Sequence, residues 1–166
     1  MKPELAVAVR EMRLGSLINE FAITKKVIAA ILENAKEFRP DPKARTGHEL
    51  AWHVVSSDVQ MLDEIADGAF TMAERFPKMP STIAGMIEFY DREFPRSLAR
   101  VKALDAAALG KVIDFYGAFQ FPAVVFLGFV ESHSIHHRGQ LSTYLRPMGS
   151  KVPSIYGGSA DEPWKG

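Results

Sequence analysis

Residues 122–149 read PAVVFLGFVESHSIHHRGQLSTYLRPMG, and this stretch decides how the rest of the chain is read. Phe126, Val130, His133, His137, Leu141 and Tyr144 recur within it at intervals of three and four, so they share one face of a helix. Pro122 suits the first helical position, and Pro147 with Gly149 stops the helix near Leu145. Apolar residues above and below the two histidines place that face against a core. His133 and His137 therefore point inward, whereas His136 is turned about 100° from His137.

Working outward, three further segments carry the same period. Leu14, Leu17, Ile18, Phe21, Ile28, Ile31 and Leu32 predict a first helix from Glu4 to about Lys36. Arg39-Pro40-Asp41-Pro42 reads as a loop, and Thr46 caps a second helix that runs to about Ala66 and ends at Gly68. That helix lines up Leu50, His53, Val54, Ser57, Met61 and Ile65 on one side. Pro77 and Pro80 bracket a break, after which Ile83 to Leu104 marks a third helix with Pro95 as an expected kink. Lys111 to Gly117 is short and rich in β-branched and aromatic residues, which allows a strand or hairpin before the last helix. The expected fold is all-α, a four-helix bundle forming one domain over residues 1–166.

Composition narrows the function. A chain of 166 residues with 47% hydrophobic and 24% charged residues has enough apolar surface for an ordinary core, which excludes disorder. Twenty basic residues balance twenty acidic ones, so no excess charge exists to track nucleic acid or an anionic membrane. The amino terminus lacks the apolar core of a signal peptide, and Ala118–Val130 is too short to span a bilayer, so a cytoplasmic location is expected. With no cysteine, a tightly held metal has to be bound mainly by imidazole.

All five histidines fall on the second and last helices. Two imidazoles four residues apart chelate one ion, and a third donor from elsewhere completes such a site. His53, on the apolar side of the second helix, is the candidate; His48 lies at the helix start, and it and His136 are assigned no ligand role. The competing reading is a set of hydrogen-bonded core histidines. Ser57, Gln140 and Tyr144 could orient a bound ligand, or respectively bond their own helix, bridge helices and fill the core. Glu131 reads as a solvated charge, and Arg138 and Arg146 as salt-bridge or dimer-surface residues.

The string His133-Ser134-Ile135-His136-His137-Arg138-Gly139-Gln140-Leu141, continuing to Gly149, resembles the last-helix signature of the DinB-like superfamily. Val152-Pro153-Ser154-Ile155-Tyr156-Gly157-Gly158 and Glu49-Leu50-Ala51-Trp52-His53 resemble that family's tail and second-helix segments. The resemblance implies a four-helix bundle, often a homodimer, with one divalent metal on His53, His133 and His137. Zinc or nickel suits such a site first, then iron or manganese. Many relatives carry a glutamate after the first histidine of the last helix; Ser134 here removes that carboxylate. Characterised relatives include transferases and isomerases that use low-molecular-weight thiols. The expected function is therefore thiol-dependent S-transfer at a three-histidine site with a position open to water or substrate. A metal-dependent hydrolase and a non-catalytic, stress-associated metal-binding structural protein are the alternatives.

Overall fold

The computed structural model describes residues 1–71 and 78–164, so Pro77 lies outside the described residues. Four long helices form the body: α1 (Pro3–Ala29), α2 (Gly47–Asp67), α3 (Ile83–Lys102) and α5 (Phe126–Leu145). Between α3 and α5 come a short α4 (Ala106–Gly110) and an antiparallel hairpin of β1 (Val112–Phe115) and β2 (Phe119–Pro122). The helix α2 packs against both α3 and α5, and α1 against α5, α4 and α3. Leu17, Ile28, Leu62, Ile65, Met86, Phe126 and Leu141 are fully buried between them. The bundle and the extended segment before its last helix both match the reading of the sequence.

The starts of the helices are written locally. Thr46 accepts from the Glu49 amide (3.1 Å) while Glu49 accepts from the Thr46 amide (2.7 Å), a reciprocal cap that satisfies two otherwise orphaned donors of α2. Thr82 and Asp105 accept from Gly85 and Ala108 and cap α3 and α4. Gly68, with φ of 69°, closes α2 in the left-handed conformation that costs glycine least. Pro95 sits within α3, which continues through it to Lys102.

Two boundaries depart from expectation. The first helix ends at Ala29, not near Lys36, and Leu32 turns extended ahead of a 3₁₀ turn at Glu33–Ala35. Tertiary demand overrides helix propensity here. The turned chain offers the carbonyls of Lys36 and Phe38 to the amides of His48 and Gly47, both at 2.9 Å, and Glu33 accepts from the Ile83 amide at 3.0 Å. The segment thus serves the exposed donors at the starts of α2 and α3. Pro122 closes β2 instead of opening the last helix; a 3₁₀ turn at Ala123–Val125 intervenes, and α5 begins at Phe126. Ile18, assigned to the inner stripe of α1, is 55% exposed. Among the described residues no helix is long and apolar enough to cross a membrane.

Candidate metal centre

The geometry brings together the three histidines singled out in the sequence. One ring nitrogen from each of His53, His133 and His137 can be chosen so that all lie within 4.8 Å of one another. His53 Nε2 and His137 Nε2 approach to 3.1 Å. Two nitrogens bound to one tetrahedral zinc at ~2.0–2.1 Å lie about 3.3 Å apart, so this pair is already at chelating distance. Ring centroids are 5.0 Å apart for His53 and His133 and 4.4 Å for His133 and His137.

The environment keeps the rings in the form a metal requires. Partial burial, reinforced by neighbouring imidazoles and the positive charge of Arg45, lowers the pKa of His53 and of His133 to about 4. His137 is lowered too, chiefly by burial, against a raising effect of Gln140. All three are neutral at pH 7. His137 Nδ1 donates to Gln140 Oε1 at 2.7 Å, which leaves the Nε2 lone pair facing His53. Ser57 Oγ lies 3.4 Å from His53 Nδ1. His133 Nδ1 is buried and has no hydrogen-bond partner among the described residues. Converging neutral imidazoles, two of them backed by neighbours and one with an unpaired nitrogen, fit a divalent cation.

The other candidates sort cleanly. Gln140 and Ser57 reach the triad; it is Ser56, not Ser57, that bonds back to its own helix, at Trp52 O (2.7 Å). Tyr144 takes the core role, its ring edge-on to Phe38 at 5.9 Å. His48 is 4% exposed, at the start of α2, and His136 is exposed on α5. Ser134 is buried and turned to Thr24 Oγ1 of α1 at 3.3 Å.

The chain matches the sequence pattern of the DinB family over residues 16–165. It belongs to the DinB family. This DinB-family protein is 28% identical over 144 residues to YrdA of Bacillus subtilis (strain 168), spanning 84% of the chain and 83% of YrdA. A DinB-like protein from Bacillus cereus ATCC 10987 superposes with a TM-score of 0.72 at 23% identity, covering 88% of this chain and 97% of that one. The DinB-like protein YjoA of Bacillus subtilis gives a TM-score of 0.71 at 19% identity over 87% and 96% of the two chains. These two structures share the fold.

One assignment of a surface residue needs correction. Glu131 is not a solvated charge: it pairs with Arg13 at 2.6 Å and accepts from Ser16, tying α5 to α1. Arg138 forms the expected salt bridge, to Glu20 Oε2 at 2.5 Å, and forms it inside the core: at 1% exposure it lies on no dimer surface, and it also donates to Thr24 Oγ1 at 3.2 Å and to Tyr156. Arg146 does form a salt bridge, to Asp161 at 3.0 Å.

Sequence reasoning missed Arg45 and the buried carboxylate of Glu64. Arg45 supplies its positive field from the loop before α2. Glu64, wholly buried, accepts from Tyr116 Oη (2.8 Å), Gln60 Nε2 (3.2 Å) and the Thr71 amide (3.0 Å). A tyrosine before glycine in a hairpin turn, where asparagine is the usual residue, was the one available signal.

Proposed function

We propose that this DinB-family protein binds one divalent metal through His53, His133 and His137 and uses it to transfer a low-molecular-weight thiol to an electrophile. The observation that carries the reading is the convergence of three neutral, half-buried imidazoles from two helices. Neutral ligands leave the charge of the cation uncancelled, and three of them leave a coordination position open. Zinc or nickel suits the donor set, which also accommodates iron or manganese. When bound, the cation supplies positive charge that favours thiolate over thiol.

The chain's own residues do the rest. Gln140 holds the His137 ring in one tautomer, and Ser57 stands within reach of His53. The neutral histidines and the nearby Arg45 favour an anionic nucleophile. In the transfer the sulfur lone pair forms a bond to the electrophilic carbon, and the leaving group departs with its bonding pair. The thiol proton passes to solvent, since the ligand cluster holds no carboxylate to receive it. The exposed apolar side chains of Leu5 and Met12 on α1 and of Val125, in the turn that leads into α5, support pairing of two copies through α1 and α5.

Elemental analysis of untagged protein tests the site. About one metal per chain in wild type, lost in each of His53→Ala, His133→Ala and His137→Ala, is expected. Bacillithiol, mycothiol or glutathione should then be consumed with an electrophile only by metal-loaded protein. Protein that stays metal-free after reconstitution sinks the centre, and loaded protein that consumes none of these thiols sinks the reaction.

A further inference from the structure

A cleft of ≈ 170 Å³ adjoins the triad, lined by Ser57, Gln60 and Met61 of α2, Tyr116 of the hairpin turn, and Phe129 and His133 of α5. It includes one metal-ligand candidate, His133, and Ser57, which stands beside a second, His53. A cavity of ~150 Å³ accommodates benzene, so this space has room for one six-membered ring. Its walls are mainly apolar. Phe129, 40% exposed, stands edge-on to Phe115 at 5.0 Å and to Phe119 at 5.7 Å, which fixes its ring at the cleft.

Tyr116 is the telling residue. It has φ of 51°, followed by Gly117 at 81°, and the Ala118 amide donates to Phe115 O at 2.9 Å. Both central positions of this turn are left-handed, a pattern that favours Asn-Gly and strains a bulky side chain. The tyrosine is held there from two sides. Its hydroxyl donates to the buried Glu64, and its ring meets Phe70 at 5.6 Å and Phe115 at 4.8 Å. Glu64 also holds the Gln60 amide, so one buried carboxylate fixes two residues of the cleft. A strained residue retained where a relaxed one is available points to a role for its side chain.

We infer that this cleft seats the ring of a monocyclic aromatic electrophile beside the histidine triad, with Tyr116 and Phe129 setting the preference for a flat ring. The inference rests on the thiol-transfer reading and names its acceptor class. For a benzylic halide the sulfur forms the bond to the benzylic carbon, the carbon–halogen bond breaks with its pair leaving as halide, and the thiol proton goes to solvent.

The test is an NMR titration of the full chain, metal-free and zinc-loaded, with 4-nitrobenzyl alcohol, an unreactive probe. Amide shifts are expected at Gln60, Tyr116 and Phe129, with affinity about tenfold weaker in Tyr116→Asn and in Phe129→Ala. Cyclohexylmethanol should bind about tenfold more weakly than the aromatic alcohol. Tyr116→Asn relaxes the turn while Gln60 and the Thr71 amide still serve Glu64, and Phe129→Ala truncates a part-exposed ring; amide spectra unchanged away from the cleft check that each variant is folded. Unchanged affinity in both variants, equal binding of the saturated ring, or shifts that leave Gln60, Tyr116 and Phe129 unmoved would overturn the inference. With 4-nitrobenzyl chloride and glutathione, a KM unmoved in either variant would overturn it while leaving the thiol reaction intact. Ring binding without thiol consumption would remove the reaction and leave the aromatic site standing.

Discussion

At the scale of single residues, the hydrogen bond from His137 to Gln140 decides which nitrogen of that ring looks toward His53. Removing the acceptor frees the ring to turn and to change tautomer. Gln140→Ala should weaken zinc binding by roughly 10–100-fold in a chelator competition, and Gln140→Glu, which keeps an acceptor, should restore it. A second residue makes a prediction about pH. Asp58 is buried, accepts from Tyr90 Oη at 2.7 Å, and is raised by burial from 3.8 to about 7. A carboxyl raised on folding contributes stability below its unfolded pKa and loses it as pH rises through the folded one. Asp58→Asn titrates in neither state. Its stability relative to wild type should therefore climb between pH 4 and pH 7, by up to roughly 4 kcal/mol, when both metal-free proteins are unfolded in urea. The triad was legible in the sequence because ligand spacing and apolar flanks are local. Arg45 and Glu64 were not, since their effect on the site depends on where a loop and a hairpin come to rest.

At the scale of elements, α1 is fastened to α5 by charge as well as by packing. Arg138 reaches Glu20 inside the core, and Tyr156 from the tail donates to the same carboxylate at 2.7 Å. Breaking such a pair leaves a buried guanidinium without its counter-charge. Glu20→Ala should cost about 3–5 kcal/mol in a urea melt, far more than loss of an exposed pair such as Lys25 with Asp91. The same elements show where reading a sequence stops. The period of three and four revealed each long helix, and Thr46 and Gly68 marked both ends of α2. The end of α1 was hidden because Glu33 and the Lys36 carbonyl serve other helices. The partner of Arg138 was hidden because a charged residue beside His137 gives no sign of the carboxylate that meets it from 118 residues away.

At the scale of the whole molecule, the core is continuous from α1 to α5 and does not depend on the histidines to close it. Chelating the metal should therefore leave a cooperative thermal melt, displaced only by the binding free energy of the ion. A bundle that unfolded outright on chelation would instead show the metal to be structural.

The separation along the chain of the two helices that carry the histidine triad has a mechanical consequence. His53 and His137 are 84 residues apart in the chain, and α3, α4 and the hairpin all lie between them. An ion that joins them turns this stretch into a closed ring, with α1 on one free arm and the tail on the other. Pulled from its two ends, a metal-loaded molecule should yield its arms first and keep the ring out of the extension. At ~3.3–3.6 Å per residue the hidden length is roughly 290 Å. In an optical trap that length should appear as a separate late step when metal is present and merge into the main rip once a chelator is added.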